Sequence, residues 1–439
     1  MRAIRIGVPA LVAFAVLADG GVEPWSQSVL EIGAAVLLVV WAVSATREGA
    51  VEIRWNPLLA AVGGLTALAL VQWAIGLTVY PYATKLATLR LAAELILFFL
   101  TIQAFRTPRE WKGLAWFLIT LAFVVSLFGI VQYFTWNGKL YWFRALTHGG
   151  QPFGPFVDRD DFAGFAEMIL PLGLGLLVFD GERQDRRPLI GLFVIFPAAA
   201  LLLSGSRAGV VIFLLELILL GVLTGTMGRR SQRWLLAGVA LAVVALAVWL
   251  GIGTTYQRFV GSKGTESSLV SRLQISWDTL HMFATHPLLG TGMGTFETAF
   301  PHYQSHYIGA VVNHAHDDYA ELLSDGGLIG GAFGLAFLWI LYRRGARNLR
   351  RSLTPLTRSL YAGGLVACTG LLTHEFVDFN LHIVSNAVIF LIIAAMVTSV
   401  IPAPITVIGW PTRRTTETVT WGCETSPRDF SRPLIFDSS

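Results

Sequence analysis

The stretch WKGLAWFLITLAFVVSLFGIVQYF, residues 111–134, carries a single charge, Lys112, in a run long enough to cross a bilayer as one helix. A hydrocarbon core of about 30 Å takes roughly 20 apolar residues in helical form, whereas a helix on the surface of a soluble fold keeps one polar face. Eleven further segments share this character to different degrees: residues 6–18, 28–44, 57–77, 89–105, 162–179, 189–203, 208–223, 234–252, 328–342, 359–372 and 383–401. The pattern predicts an all-α integral membrane protein of about 12 transmembrane helices. Residues 1–401 form a single polytopic domain, and residues 402–439 form a polar tail rich in Thr, Ser, Arg and Pro that is expected to be poorly ordered.

Composition agrees, since 54% of the 439 residues are hydrophobic and only 14% are charged, more apolar surface than a water-soluble fold can hide. The formal charge of +4 does not point to nucleic acid, because the basic residues are strung between apolar runs and not gathered on one face. Cys368 lies in an apolar run and Cys423 in the tail, so neither a disulfide framework nor a Cys-ligated metal is expected.

Residues 6–18 follow Arg2 and Arg5 and are short; a cleaved leader is the alternative, but no small-x-small site precedes the next span and the segment is read as a retained helix. With the N-terminus in the cytoplasm, twelve spans return the tail there too. Of the 32 Lys and Arg residues, 23 then fall inside and nine outside, as the positive-inside rule requires. Two outer loops are long, residues 135–161 and 253–327, and long loops in compact proteins usually carry function. The second contains Leu269, Leu273, Trp277 and Leu280 at helical spacing, interleaved with Ser271, Arg272, Gln274 and Asp278, which predicts an amphipathic helix lying against membrane or bundle and ended by Pro287. Gly290, Gly292 and Gly294 have the wrong spacing and context for a nucleotide fingerprint and are read as a turn.

The densest outer cluster of ionisable residues is Asn313, His314, Ala315, His316, Asp317, Asp318, Tyr319 and Glu321. It admits three readings. Asp317 or Asp318 could cap a helix, with Glu321 completing a capping box. His314, His316 and Asp318 could ligate a metal, although histidines two apart at a helix start converge poorly, and no metal is assigned. The favoured reading makes one histidine a general base beside an orienting carboxylate, able to take a proton from a sugar hydroxyl. The electrophile suggested by the basic residues is an anionic lipid phosphate. Arg207 ends the Ser204-Gly205-Ser206-Arg207 turn between two spans. An arginine at membrane depth costs about 2.5–3.5 kcal/mol on insertion scales, so it is expected to be functional or paired unless it snorkels to headgroups. Guanidinium suits diphosphate through paired hydrogen bonds. Arg272 is a second candidate donor, with a solvated helix face as its alternative. Lys85 and Arg90 are weaker, because Glu94 sits four residues after Arg90 and could pair with it.

At these positions the chain resembles the O-antigen ligase and polymerase superfamily of bacterial membrane glycosyltransferases. The resemblance rests on His316 and Asp317 followed, after nine residues, by Gly327 and then by Gly330. It rests also on the arginine turn ending in Arg207 and on the run from Ser271 and Arg272 through Trp277 to Gly292. Arg159 to Pro171, and His374 to His382 with Asp378, resemble stretches of polysaccharide-export members. The likeness covers most of residues 158–401, while the first four helices match in character only. It implies His316 as catalytic base and Arg207 and Arg272 as holders of the diphosphate of a polyprenyl-linked glycan. Lys85, Arg90, Arg159, His314, Asp317, Asp318 and Asp378 are further candidates for binding substrate. Asp317 departs from the usual Asn, Ser or Gln and adds a negative charge beside the site.

The resemblance therefore implies inverting transfer of a glycan from undecaprenyl diphosphate to the hydroxyl of a saccharide or glycolipid acceptor, at the outer face of the inner membrane. No cofactor and no metal are required, because the donor already carries its leaving group and the protein must mainly position, accept a proton and neutralise charge. A polymerase of lipid-linked repeats is the alternative within this chemistry. A lipid-linked glycan transporter is the alternative outside it, which would need more ionisable residues at mid-helix than Glu94, Glu167 and Glu216 supply. Membrane lipids are the remaining partners, and nucleic acid is not one.

Overall fold

In a computed structural model, residues 1–47, 50–146, 151–179, 187–227, 230–249, 269–306, 311–399 and 405–409 are described. Their helices are α1 (Arg2–Leu17), α2 (Pro24–Arg47), α3 (Leu58–Ala74), α4 (Pro81–Ala104), α5 (Pro108–Phe134), α6 (Arg159–Phe179), α7 (Arg187–Ser204), α8 (Arg207–Met227), α9 (Arg230–Trp249), α10 (Leu269–Thr285), α11 (Asp318–Arg350), α12 (Pro355–His374) and α13 (Val384–Thr398). Among the described residues, α2, α4, α5, α6, α8 and α11 are long and apolar enough to cross a membrane, and α3, α7 and α13 are shorter apolar helices. The protein is an all-α membrane protein. Of the second long loop, residues 253–268 and 307–310 lie outside the described residues, as does nearly all of the tail.

The bundle is built around α6, whose residues from Asp161 to Phe179 are all buried. Its partner is α12, approached so closely that a methyl group on Gly175 would come within 2.7 Å of the Ser359 carbonyl oxygen, and one on Gly363 within 2.6 Å of that of Pro171. Without water to expel, helices in a membrane associate through such close contact, and small residues permit it. Groupings at the two ends of the bundle follow from polar contacts. At one end Arg5 donates to the Ala104 carbonyl and pairs with Glu110, joining α1, α4 and α5. At the other, Arg144 of the α5–α6 loop pairs with Asp19 and Glu23 between α1 and α2.

Two local expectations are corrected. Residues 405–409 of the tail are not irregular; they pair antiparallel with Ala50–Arg54 in a two-stranded ribbon, bringing the start of the tail beside the α2–α3 connection. The helix after the second long loop begins at Asp318, ten residues before residue 328, so its first turns belong to what hydropathy assigns to the loop. Charged residues there hide the helix from an apolarity scan. The predicted amphipathic helix forms as α10, and it packs Ile275 and Met282 with Phe296 and Phe300. Leu273, Trp277 and Leu280 are exposed, while Asp278 and Thr279 are buried. The stripe of Leu273, Trp277 and Leu280 therefore faces away from the bundle, the membrane-side orientation of the two that the sequence left open.

Two of the sequence glycines have a defined task in fixing the start of α11. Gly327 has φ 64 and ψ −163, a region open only to glycine, and it breaks the helix between Gly326 and Leu328. Four of the backbone groups beside the break find partners in the preceding turn. Leu328 and Ile329 donate to the carbonyls of Pro287 and Leu288, while the carbonyls of Ser324 and Asp325 accept from Thr291 and Gly292. Gly292, at φ 116, belongs to the turn expected at residues 290–294, which thus docks onto the broken helix. Replacing Gly327 with Ala would place a Cβ 2.3 Å from the Leu288 oxygen, whereas a Cβ on Gly113 meets nothing within 4 Å. Gly327→Ala is expected to destabilise by about 1–3 kcal/mol and Gly113→Ala not to destabilise, read as shifts in thermal unfolding of the detergent-solubilised protein.

Candidate active site

Three segments distant in sequence meet at one end of the bundle: the residues entering α11, the connection from α12 to α13, and the N-terminus of α6, roofed by α10. Asp317 is the N-cap of α11, its Oδ1 accepting from the backbone N–H groups of Tyr319 and Ala320 at 3.0 and 3.1 Å. An asparagine would supply the same oxygen, so the departure of Asp317 from the usual residue leaves the helix start intact. Burial raises the Asp317 carboxyl above its ordinary value against those two hydrogen bonds. The expected capping box does not form. Glu321 instead accepts from the Ala315 backbone through Oε2 and meets His314 through Oε1.

His316 precedes the cap at φ 52, a left-handed conformation uncommon for a residue with a side chain. Its Nδ1 lies 3.5 Å from Oδ1 of the buried Asp378, and its ring meets Phe379 edge to face at 5.0 Å. Asp378 Oδ2 is 3.6 Å from Arg272 Nη1 and 3.7 Å from His374 Nε2. Burial opposes ionisation of Asp378, but His316, Arg272 and His374 outweigh it and hold the carboxyl below its ordinary value. A carboxylate facing Nδ1 favours the tautomer protonated there, which leaves Nε2 of His316 as the proton acceptor.

Arg272 is fixed by three oxygens: it donates to the Val377 carbonyl at 2.5 Å and to Asp160 at 3.2 Å and approaches Asp378. The sequence reading assigned it to a diphosphate; in the structure it also holds the carboxylate that faces His316. Arg159 opens α6 and Arg207 opens α8, and the two helix starts are neighbours, because Gly209 packs against Ala163 and Glu167 of α6. The turn before Arg207 is closed by Gly205 at φ 72, with Ser206 Oγ accepting from the Gly209 N–H at 3.1 Å.

Most of the remaining candidates form a second group around His314 and His382. His314 stacks on that ring at 4.5 Å and lies 4.5 Å from the His382 ring. Asp318 accepts from His382 Nδ1 at 2.8 Å and from the Leu381 N–H at 3.2 Å. Burial opposes a charge on His382, but Glu321 and Asp318 outweigh it and push its pKa up to about 10. Arg90 donates to the His382 carbonyl, while Lys85 is exposed one turn earlier on α4. Sequence reasoning gave no site role to Asp160, His374 or His382, and gave Glu321 only a place in a capping box. The signal available was the recurrence of His374, Asp378 and His382 at four-residue intervals.

Residues 192–335, about a third of the chain, match the family model described as O-antigen ligase, which supports the resemblance to the O-antigen ligase superfamily. That likeness supports a bacterial membrane protein and, in general terms, ligase-like transfer of lipid-linked glycans. The match takes in Arg207, Arg272 and the cluster from His314 to Glu321, and it ends before His374, Asp378 and His382. No curated protein matches the chain.

Asp158 gives a test of the site's electrostatics. Burial first, then Asp160, raises its pKa to about 6. A carboxyl harder to ionise in the folded state than in the unfolded one costs stability that grows as pH rises from the unfolded value to about 6 and is fully present above it. Asparagine keeps an acceptor for the Asp160 N–H, which Asp158 Oδ1 binds at 2.9 Å. Asp158→Asn is therefore expected to melt higher than the wild type at pH 7.5, with the difference shrinking by pH 5. An equal difference at both pH values would refute the assignment.

Proposed function

We propose that the protein transfers a glycan from a polyprenyl diphosphate carrier to an acceptor hydroxyl at the outer face of the inner membrane, as an O-antigen ligase-like enzyme. The observation that carries this reading is the shared contact of Asp378 with His316 and Arg272, which couples a candidate base to a candidate anion binder through one carboxylate. In the reaction, His316 Nε2 accepts the proton of the acceptor hydroxyl as its oxygen attacks the anomeric carbon. The bond from that carbon to the diphosphate oxygen breaks with inversion, and the carrier diphosphate departs. Asp378 keeps the imidazole oriented and stabilises the imidazolium that forms. Arg207 and Arg272 face the charge that develops on the leaving group. The exposed apolar side of α10 lets Arg272 sit at the depth of a lipid headgroup.

His316→Ala is expected to lower turnover of a lipid-diphosphate donor in purified membranes by about 10²–10⁴-fold. Unchanged turnover by a normally inserted variant would overturn the proposal. Asp378→Asn, which keeps the shape but supports the wrong tautomer, is expected to reduce kcat by a similar factor of about 10²–10⁴ with KM little altered. In a strain lacking the protein, long unattached chains on the carrier indicate ligation, and single carrier-linked repeats indicate polymerisation instead.

A further inference from the structure

From the second cluster we infer a divalent metal site of the zinc class, with His314 Nδ1, Glu321 Oε1 and His382 Nε2 as its three protein ligands. The expectation that no metal binds here considered His314 with His316 and Asp318; in the structure the His316 ring meets Phe379 edge to face and faces Asp378, not His314. The fold instead brings to His314 a glutamate from the first turn of α11 and a histidine from the α12–α13 connection.

The three ligand atoms lie within 4.8 Å of one another. His314 Nδ1 and His382 Nε2 stand 2.9 and 3.1 Å from Glu321 Oε1. Metal bonds of about 2.0–2.1 Å in tetrahedral geometry separate ligand atoms by about 3.3 Å, so the triangle needs adjustments of only tenths of an ångström along those two edges. Two histidines and one glutamate with an open fourth position is a donor set that zinc accepts in catalytic sites.

The surrounding shell orients these ligands. His382 gives its other nitrogen, Nδ1, to Asp318 at 2.8 Å, the carboxylate–histidine arrangement that fixes the tautomer and makes Nε2 a better ligand. Glu321 Oε2 is occupied by the Ala315 N–H at 2.7 Å, which turns Oε1 towards the histidines. All three ligands line one cavity of about 180 Å³, together with Arg90 and Asn313, so a fourth ligand from water or an oxyanion has room and an entry path. The rival occupant of this space is a proton: a doubly protonated His382 clamped between Asp318 and Glu321 satisfies the same groups without any ion.

Zinc uptake by tag-free full-length protein distinguishes the two. The protein, carrying Cys423→Ser to remove the tail thiol, is stripped with chelator in detergent at pH 8, dialysed against zinc and assayed for metal content, and cobalt(II) is substituted for its absorption spectrum. One zinc per chain and a tetrahedral cobalt spectrum are expected. His314 has a side chain 28% exposed and is the ligand whose loss disturbs packing least. His314→Ala is expected to weaken zinc binding by about 10-fold or more, and Asp318→Asn by about 10–100-fold. His316→Ala is expected to bind zinc as the wild type does. Failure of the stripped protein to take up zinc, or equal affinity in His314→Ala of unchanged metal-free melting temperature, would overturn the site and leave the protonated cluster in its place. Neither result bears on His316 as base, which the transfer assay reads separately.

Discussion

A carboxylate inside a membrane bundle has to be paired or protonated, and Glu167 of α6 is met by His374 of α12 at 3.0 Å. Both side chains are fully buried, so the pair ties the central helix to its closest neighbour at a depth where no water competes. The glycine contacts between the same two helices allow the approach, and the ion pair fixes its height. From His374 the chain runs four residues to Asp378, so the pairing also sets where that carboxylate emerges. His316, Arg272 and Asp160 then follow from it.

The end of the bundle holds more charge than a solvated loop would require, and the charges are arranged in alternation. Carboxylates at Asp160, Asp378, Asp318 and Glu321 are separated by Arg272, His316, His382 and His314. Phe379 touches both groups, meeting His316 edge to face and stacking on His314 of the His314–Glu321–His382 cluster. A buried network of this kind is costly unless every member finds a partner, which accounts for the backbone devices around it: the capped start of α11, its break at Gly327, and the docked turn at residues 290–294. Those devices keep rigid a set of groups that would otherwise spread apart or neutralise.

Much of this was legible in the residues. Each of the twelve apolar segments falls on a helix, because hydropathy over a span is a sum that local exceptions do not change. The amphipathic helix and its arginine were legible for the same reason, as a periodic pattern within one element. What the pattern concealed was direction: Leu273 and Trp277 could be assigned to one face of α10, but whether that face meets the bundle or the membrane depends on what packs against the other side. Likewise Glu321, three residues after a plausible cap, has the spacing of a capping box, yet a nearby imidazole competes for the same oxygen.

Taken alone, the sequence determined the class of protein and the approximate position of its helices, and it named one half of the candidate site, the histidine and arginines whose spacing is written in contiguous motifs. The tertiary structure decided the other half. Asp378 reaches His316, and His382 reaches His314 and Glu321, only because α12 is held against α6 and its C-terminal connection crosses the entry to α11. That geometry depends on pairwise fits between helices more than a hundred residues apart, such as Gly175 against Ser359 and Glu167 against His374. Such contacts leave no periodicity in the chain, so no single-segment pattern could have supplied them.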